Sequence, residues 1–146
     1  MLLEFTINLS SSPDKLKRII LDYEKLPMFL PDQLKKIEII KKDEQEVVTE
    51  ETFLFSTIFK KTIQQKSSHK ILSDEHFHTD IIEGITKDST LDIFFVSIDT
   101  GTKLTIKANL KLGFKYKIFQ PIIKKYYKMI LTGILYKINN KALDRI

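Results

Sequence analysis

At 146 residues, 42% hydrophobic and 29% charged, the chain suits one domain with a single core, too apolar to be disordered and too charged to sit within a membrane. The lack of any cysteine excludes a disulfide framework, a thiol nucleophile and a thiolate metal site. A net charge of +5 invites an anionic partner, yet Arg18 and Arg145 are the only arginines, so the forked donors that read phosphates and bases are nearly missing and no DNA partner is expected.

The opening "LLEFTINL" alternates Leu3, Phe5, Ile7 and Leu9 with Glu4, Thr6 and Asn8, which predicts a half-buried strand over 2–9. "SSSPDKLKRIILDY" then carries helix-start signals: Ser12 as N-cap, Pro13 at the first helical position, Asp14 in the first turn, and Leu16, Ile19 and Ile20 at helical spacing. Pro27 and Pro31 bracket "MFL", so a second helical segment there must be short and end before Pro31. Strand-like runs follow at 34–42, 46–56, 57–66, 69–82, 89–98 and 102–112, seven strands in all, with hairpin-length turn signals at "KDEQ", "TKDS" and "DTGT" that make neighbouring strands antiparallel. From Pro121 the period changes. Ile122, Ile123, Tyr126, Tyr127, Ile130, Ile134, Ile138 and Ala142 recur at three- and four-residue steps, which predicts a long amphipathic helix for the sheet to wrap. No apolar run reaches the ~20 residues of a spanning helix, and "MLLEFTINLSSSPD" lacks the basic start and apolar stretch of a signal peptide, so a cytoplasmic location is expected.

The predicted order is strand, two short helices, six strands and one long C-terminal helix. With it comes the stretch "DYEKLPMFLP" at 22–31, which resembles the Asp-Tyr-Glu-x-x-Pro-x-Phe-Leu-Pro segment of the polyketide cyclase and coenzyme Q-binding branch of the START and birch-pollen-allergen-like (SRPBCC) superfamily. The resemblance implies an α+β helix-grip fold in which a seven-stranded curved antiparallel sheet surrounds the C-terminal helix. It also implies a cavity for a hydrophobic small molecule, quinone-, lipid- or polyketide-like, since members of the superfamily bind such ligands.

Alternation and helical spacing aim a strongly apolar set inward: Phe53, Phe55, Phe59, Phe95, Ile106 and Leu110 from strands, Phe29 and Leu30 from the second short helix, and Tyr126, Met129 and Ile130 from the long one. Leu26 and Met28 would stand at the cavity mouth. Such a lining suits a greasy ligand held by area burial, at ~25 cal/mol per Å². For acid–base chemistry the candidates are Glu51 and Glu75, each in phase with inward apolar neighbours. In "SDEHFHTD", Asp74, His76, His78 and Asp80 would share one strand face, and a His-x-His pair can chelate zinc. Phe77, with Ile71 and Ile81, makes the opposite face the core, leaving His76 and His78 in solvent with no third ligand visible nearby, so no metal is expected, and no other cofactor. Nothing forms a phosphate-cradling glycine loop or a Ser-His-Asp set.

After Asp99 the only acidic residue is Asp144, while Lys103, Lys107 and Lys111 form a row continued by Lys115, Lys117, Lys124, Lys125 and Lys128. That basic face could meet anionic membrane headgroups or ribosomal RNA. Three functions are thus compatible with the chain: carriage or sequestration of a hydrophobic small molecule, a ribosome- or RNA-associating module, and a cyclase or dehydrase. The resemblance, together with the apolar inventory, favours the first.

Overall fold

The computed structural model describes residues 1–55 and 61–143, with the side chains of Phe55 and Lys61 outside that description. Seven strands form one antiparallel sheet: β1 (Leu2–Leu9), β2 (Leu34–Lys42), β3 (Val47–Phe55), β4 (Lys61–Ser73), β5 (His76–Glu83), β6 (Thr90–Ile98) and β7 (Gly101–Asn109). Their spatial order is β1-β7-β6-β5-β4-β3-β2. The meander runs from β2 to β7, and β1 then pairs along the whole of β7, Leu2 opposite Asn109 through Leu9 opposite Thr102. Helix α1 (Pro13–Ile20) and a 3-10 helix (Tyr23–Phe29) carry the chain from β1 at one edge to β2 at the other. A second 3-10 helix (Phe114–Phe119) leads into the 24-residue α2 (Gln120–Leu143).

Local chemistry accounts for the turns. Asp43 Oδ1 accepts the backbone N–H groups of Gln45 at 2.8 Å and Glu46 at 2.9 Å, the side-chain mimic of a turn that aspartate supplies. At the β6–β7 hairpin, Gly101 has φ +142°, and a Cβ there would lie 2.1 Å from the Leu9 carbonyl oxygen, so only glycine lets the end of β1 approach. One turn differs from the predicted pattern. The run 69–82 is not a single strand: β4 continues through Ser67 and Ser68 to Ser73, and a two-residue turn at Asp74–Glu75 reverses the chain into β5. Asp-Glu lacks the positive-φ residues that mark two-residue hairpins, which is why the alternation ran on across it.

Two packed regions hold α2 to the sheet. Toward its C-terminus, Leu135 and Ile138 join Ile7, Leu9, Leu16, Ile20, Phe29, Phe95, Leu104 and Ile106 in the main core. Buried Asn139 reinforces it: its Oδ1 accepts the Ser11 N–H at 3.0 Å, and its carbonyl accepts the Ser11 hydroxyl at 3.2 Å. Toward its N-terminus, Ile123, Tyr126 and Ile130 pack with Leu30, Phe53 and Ile63, and the Tyr126 hydroxyl donates to the Leu54 carbonyl at 2.9 Å.

The "KLPMFLP" residues divide their roles. Phe29 belongs to the buried main core, Leu30 packs against α2, Leu26 faces the interior, and Met28 is 61% exposed. Pro27 sits inside the 3-10 helix.

Gly133 lies within α2, and a Cβ there would meet only the Leu30 Cδ1 at 3.6 Å, an ordinary contact. Replacing glycine in a helix interior should then recover ~1 kcal/mol of helix propensity. Gly133→Ala is expected to raise the unfolding free energy by about that amount, read as a higher denaturant midpoint at an unchanged slope of the unfolding transition.

Candidate ligand-binding site

Between the two packed regions the sheet and α2 enclose a cavity of ≈ 220 Å³. A single water needs only ~10–15 Å³, so this is space on the scale of a ligand rather than a packing defect. Ile37, Phe53, Ile63, Phe77, Ile93 and Leu110 line it from the sheet, and Tyr126, Ile130, Leu131 and Ile134 from α2.

Of the residues expected to point inward, Glu51, Phe53, Leu110, Tyr126 and Ile130 are brought together in this lining, and Leu26, expected at the mouth, joins them. Others fall elsewhere. Phe95 and Ile106, 1% and 0% exposed, face inward but are consumed by the main core, as is Phe29. Met129 is 51% exposed because it lies on the outer side of α2, between the inward Tyr126 and Ile130. Phe59 and the side chain of Phe55 lie outside the described residues. Glu75 is exposed in the β4–β5 turn, away from the interior, a direct result of the strand break. Lys103 and Lys107 alternate with buried Leu104, Ile106 and Ala108, and with Lys111 and Lys115 they are solvent-exposed.

The cavity is less uniformly apolar than its aromatic inventory suggested. A polar belt crosses one wall, carried by the inward residues of β3, β4 and β5. His69 is the hub. Its Nε2 lies 2.8 Å from the Thr49 hydroxyl, its Nδ1 lies 2.8 Å from the Thr79 hydroxyl, and its ring stacks on Tyr23 at 4.4 Å. Thr49 Oγ1 also donates to Glu51 Oε1 at 3.2 Å, and that oxygen is 3.9 Å from His69 Nε2. Beside this group Tyr127 and Thr86 each donate to Gln65 Oε1, at 3.0 and 3.2 Å. Glu51 Oε2 is the one buried side-chain nitrogen or oxygen among the described residues with no hydrogen-bond partner.

Gln65, Ser67 and His69 sit at alternating positions of β4, the same period that reveals apolar faces. The predicted strands over 57–66 and 69–82 divide this row at Ser67 and Ser68, so its common inward phase is visible only in the continuous β4.

Burial sets the charge of the belt. It pushes the Glu51 carboxyl up from 4.5 to about 7, against the pull of the Ser67 and Thr49 hydroxyls, and pushes the His69 imidazole down from 6.5 to about 4. The two are never charged together: below about pH 7 both are neutral until His69 protonates near 4, so their proximity is not an ion pair.

TTHA0849 of Thermus thermophilus superposes with a TM-score of 0.82 at 13% identity, covering 98% of this chain and 97% of that one. A START superfamily protein of Mycobacterium smegmatis gives 0.78 at 12% identity, covering 97% and 96%. The fold is the START-type helix grip. The Zhui aromatase/cyclase of Streptomyces sp. R1128 shares it, with a TM-score of 0.81 at 11% identity over 97% of this chain and 93% of that one. No protein-family model and no curated protein matches the sequence. Within this START-type fold, no helix among the described residues is long and apolar enough to cross a membrane.

The opposed shifts make a signed prediction. Native Glu51 keeps its proton to about pH 7, while an unperturbed carboxyl releases it near 4.5, so this group lowers stability as pH rises through that window. His69 acts oppositely, adding stability as pH rises from about 4 to 6.5, and in wild type the two slopes partly cancel. Glu51→Gln removes only the first. Relative to wild type its stability should therefore climb between about pH 5 and 7 by on the order of a few kcal/mol and level off above, as read from urea midpoints across that range.

Proposed function

We propose that this protein binds a hydrophobic small molecule in the grip cavity and acts as its carrier or sequestering protein. The observation that carries this reading is the ≈ 220 Å³ apolar space held open between two well-packed regions, where a ligand would be driven in by burial of its apolar surface. The polar belt narrows the ligand class: a molecule with a hydroxyl or carbonyl oxygen at one end could pair with Glu51 Oε2, which burial otherwise leaves uncompensated. Small flat amphipathic molecules such as quinols and phenols fit that description.

Native mass spectrometry of the freshly purified protein, followed by organic extraction, is expected to show a stoichiometric apolar adduct. Leu131→Trp, which places an indole in the cavity, should empty the protein and weaken binding of an apolar fluorescent probe at least about tenfold while the fold persists. Probe binding unchanged by Leu131→Trp would end the reading.

A second reading is favoured by one arrangement, the protonatable Glu51 within 3.9 Å of a neutral imidazole on His69. Such a pair can move a proton to or from a bound carbonyl compound, and a fold-mate is an aromatase/cyclase. Under this reading a model poly-β-ketone thioester should cyclise faster with the wild-type protein than with Glu51→Gln. Equal product yields would leave the cavity a binding site alone.

A further inference from the structure

We infer that His76, His78 and Asp92 form a binding site for one divalent transition-metal ion, zinc foremost, on the outer face of the sheet. Strand β5 carries the two histidines at i and i+2, hence on one face, and β6 places Asp92 directly opposite His78 and Phe94 opposite His76. The sequence alone offered no third ligand because Asp92 is fourteen positions beyond His78 along the chain and arrives only through strand pairing.

The donor atoms already converge. His76 Nε2 and His78 Nδ1 each lie 2.6 Å from Asp92 Oδ1, and one donor atom from each residue falls within 4.8 Å of the others. Tetrahedral zinc with bonds of ~2.0–2.1 Å holds its ligand atoms about 3.3 Å apart. Each histidine would therefore withdraw from Asp92 by well under an ångström, a shift that side chains about a quarter exposed can make. Two imidazole nitrogens and one carboxylate oxygen, with no sulfur, suit zinc, copper(II) or nickel(II) over calcium or magnesium, and leave a fourth position for water.

The surrounding groups support the same assignment. His78 Nε2 is 3.0 Å from Asp80 Oδ1, so an ion on Nδ1 would complete a carboxylate–histidine–metal arrangement in which Asp80 fixes the tautomer. His76 stacks on Phe94 at 4.2 Å, which sets its ring plane. The cations facing the cluster are Lys70, paired with His78, and Lys107, paired with Asp92. The Lys107 ammonium is drawn over the Phe94 ring at 5.6 Å, and Asp80 and Asp92 together offset the two charges.

The test is titration of chelator-treated, tag-free protein with cobalt(II), followed by displacement with zinc. One saturable site per chain is expected, with the visible bands of four-coordinate cobalt that zinc abolishes. His78→Ala and Asp92→Asn should each weaken binding by at least about tenfold, and Asp80→Asn by about 10- to 100-fold through loss of the orienting bond. His76→Gln provides a second ligand variant should His78→Ala fail to fold by circular dichroism. A protein with no saturable cobalt or zinc site, or one whose affinity is unmoved in folded His76→Gln or His78→Ala, would reduce the cluster to a set of hydrogen bonds and overturn the inference.

Discussion

The way α2 is held inside the curve of the sheet governs everything else in this molecule. A helix with one apolar stripe gains most by lying flush on an apolar sheet, and interiors normally close to crystal-like density. Here α2 is fastened at two places instead. Leu135 and Ile138 are locked into the main core beside the Asn139 hydrogen bonds to Ser11, and Tyr126 reaches across to the Leu54 carbonyl. Between these anchors the side chains of the sheet and α2 leave a space of ≈ 220 Å³.

Inside that space the polar belt obeys the usual cost of burying polarity. His69, Thr49, Thr79, Gln65, Thr86 and Tyr127 satisfy one another across β3, β4, β5 and α2, so they cost little to bury and orient each other. Glu51 alone retains an unpartnered oxygen and a carboxyl whose pKa burial holds near 7. A protein concerned only with stability would replace it with an apolar residue, since a lone buried carboxyl is a net liability. Its carboxyl stands in the cavity wall, where a bound molecule would meet it.

Strand β5 presents two different sets of side chains because its faces alternate: Phe77, Thr79 and Ile81 look into the cavity, while His76 and His78 meet Asp92 of β6 and Asp80 meets His78. A one-residue slip in the β4–β5 or β5–β6 register would exchange these sets and destroy both. The bulged pairing between β4 and β5 at Lys66/Ser67 and Ile71/Ser73 is therefore part of how the two faces are kept distinct.

The architecture was legible in the chain alone, because periodicity is a local signal. The alternation of 2–9 and 102–112, the Ser12-Pro13 helix start, the three- and four-residue steps after Pro121 and the order of elements each follow from the backbone geometry of a few neighbouring residues. Part of the cavity wall was legible for the same reason, Phe53, Leu110, Tyr126 and Ile130 among it. Which inward residues meet empty space and which meet each other was settled only by the folded arrangement. Phe95 and Ile106 obey the same alternation as Leu110, yet they fall beneath the anchored end of α2 and are packed solid. Folding also aligned Gln65, Ser67 and His69 into a belt, moved Glu75 out to a turn, and set Asp92 against His76 and His78. These outcomes depend on strand register and sheet curvature, which sum contributions from residues far apart in the chain.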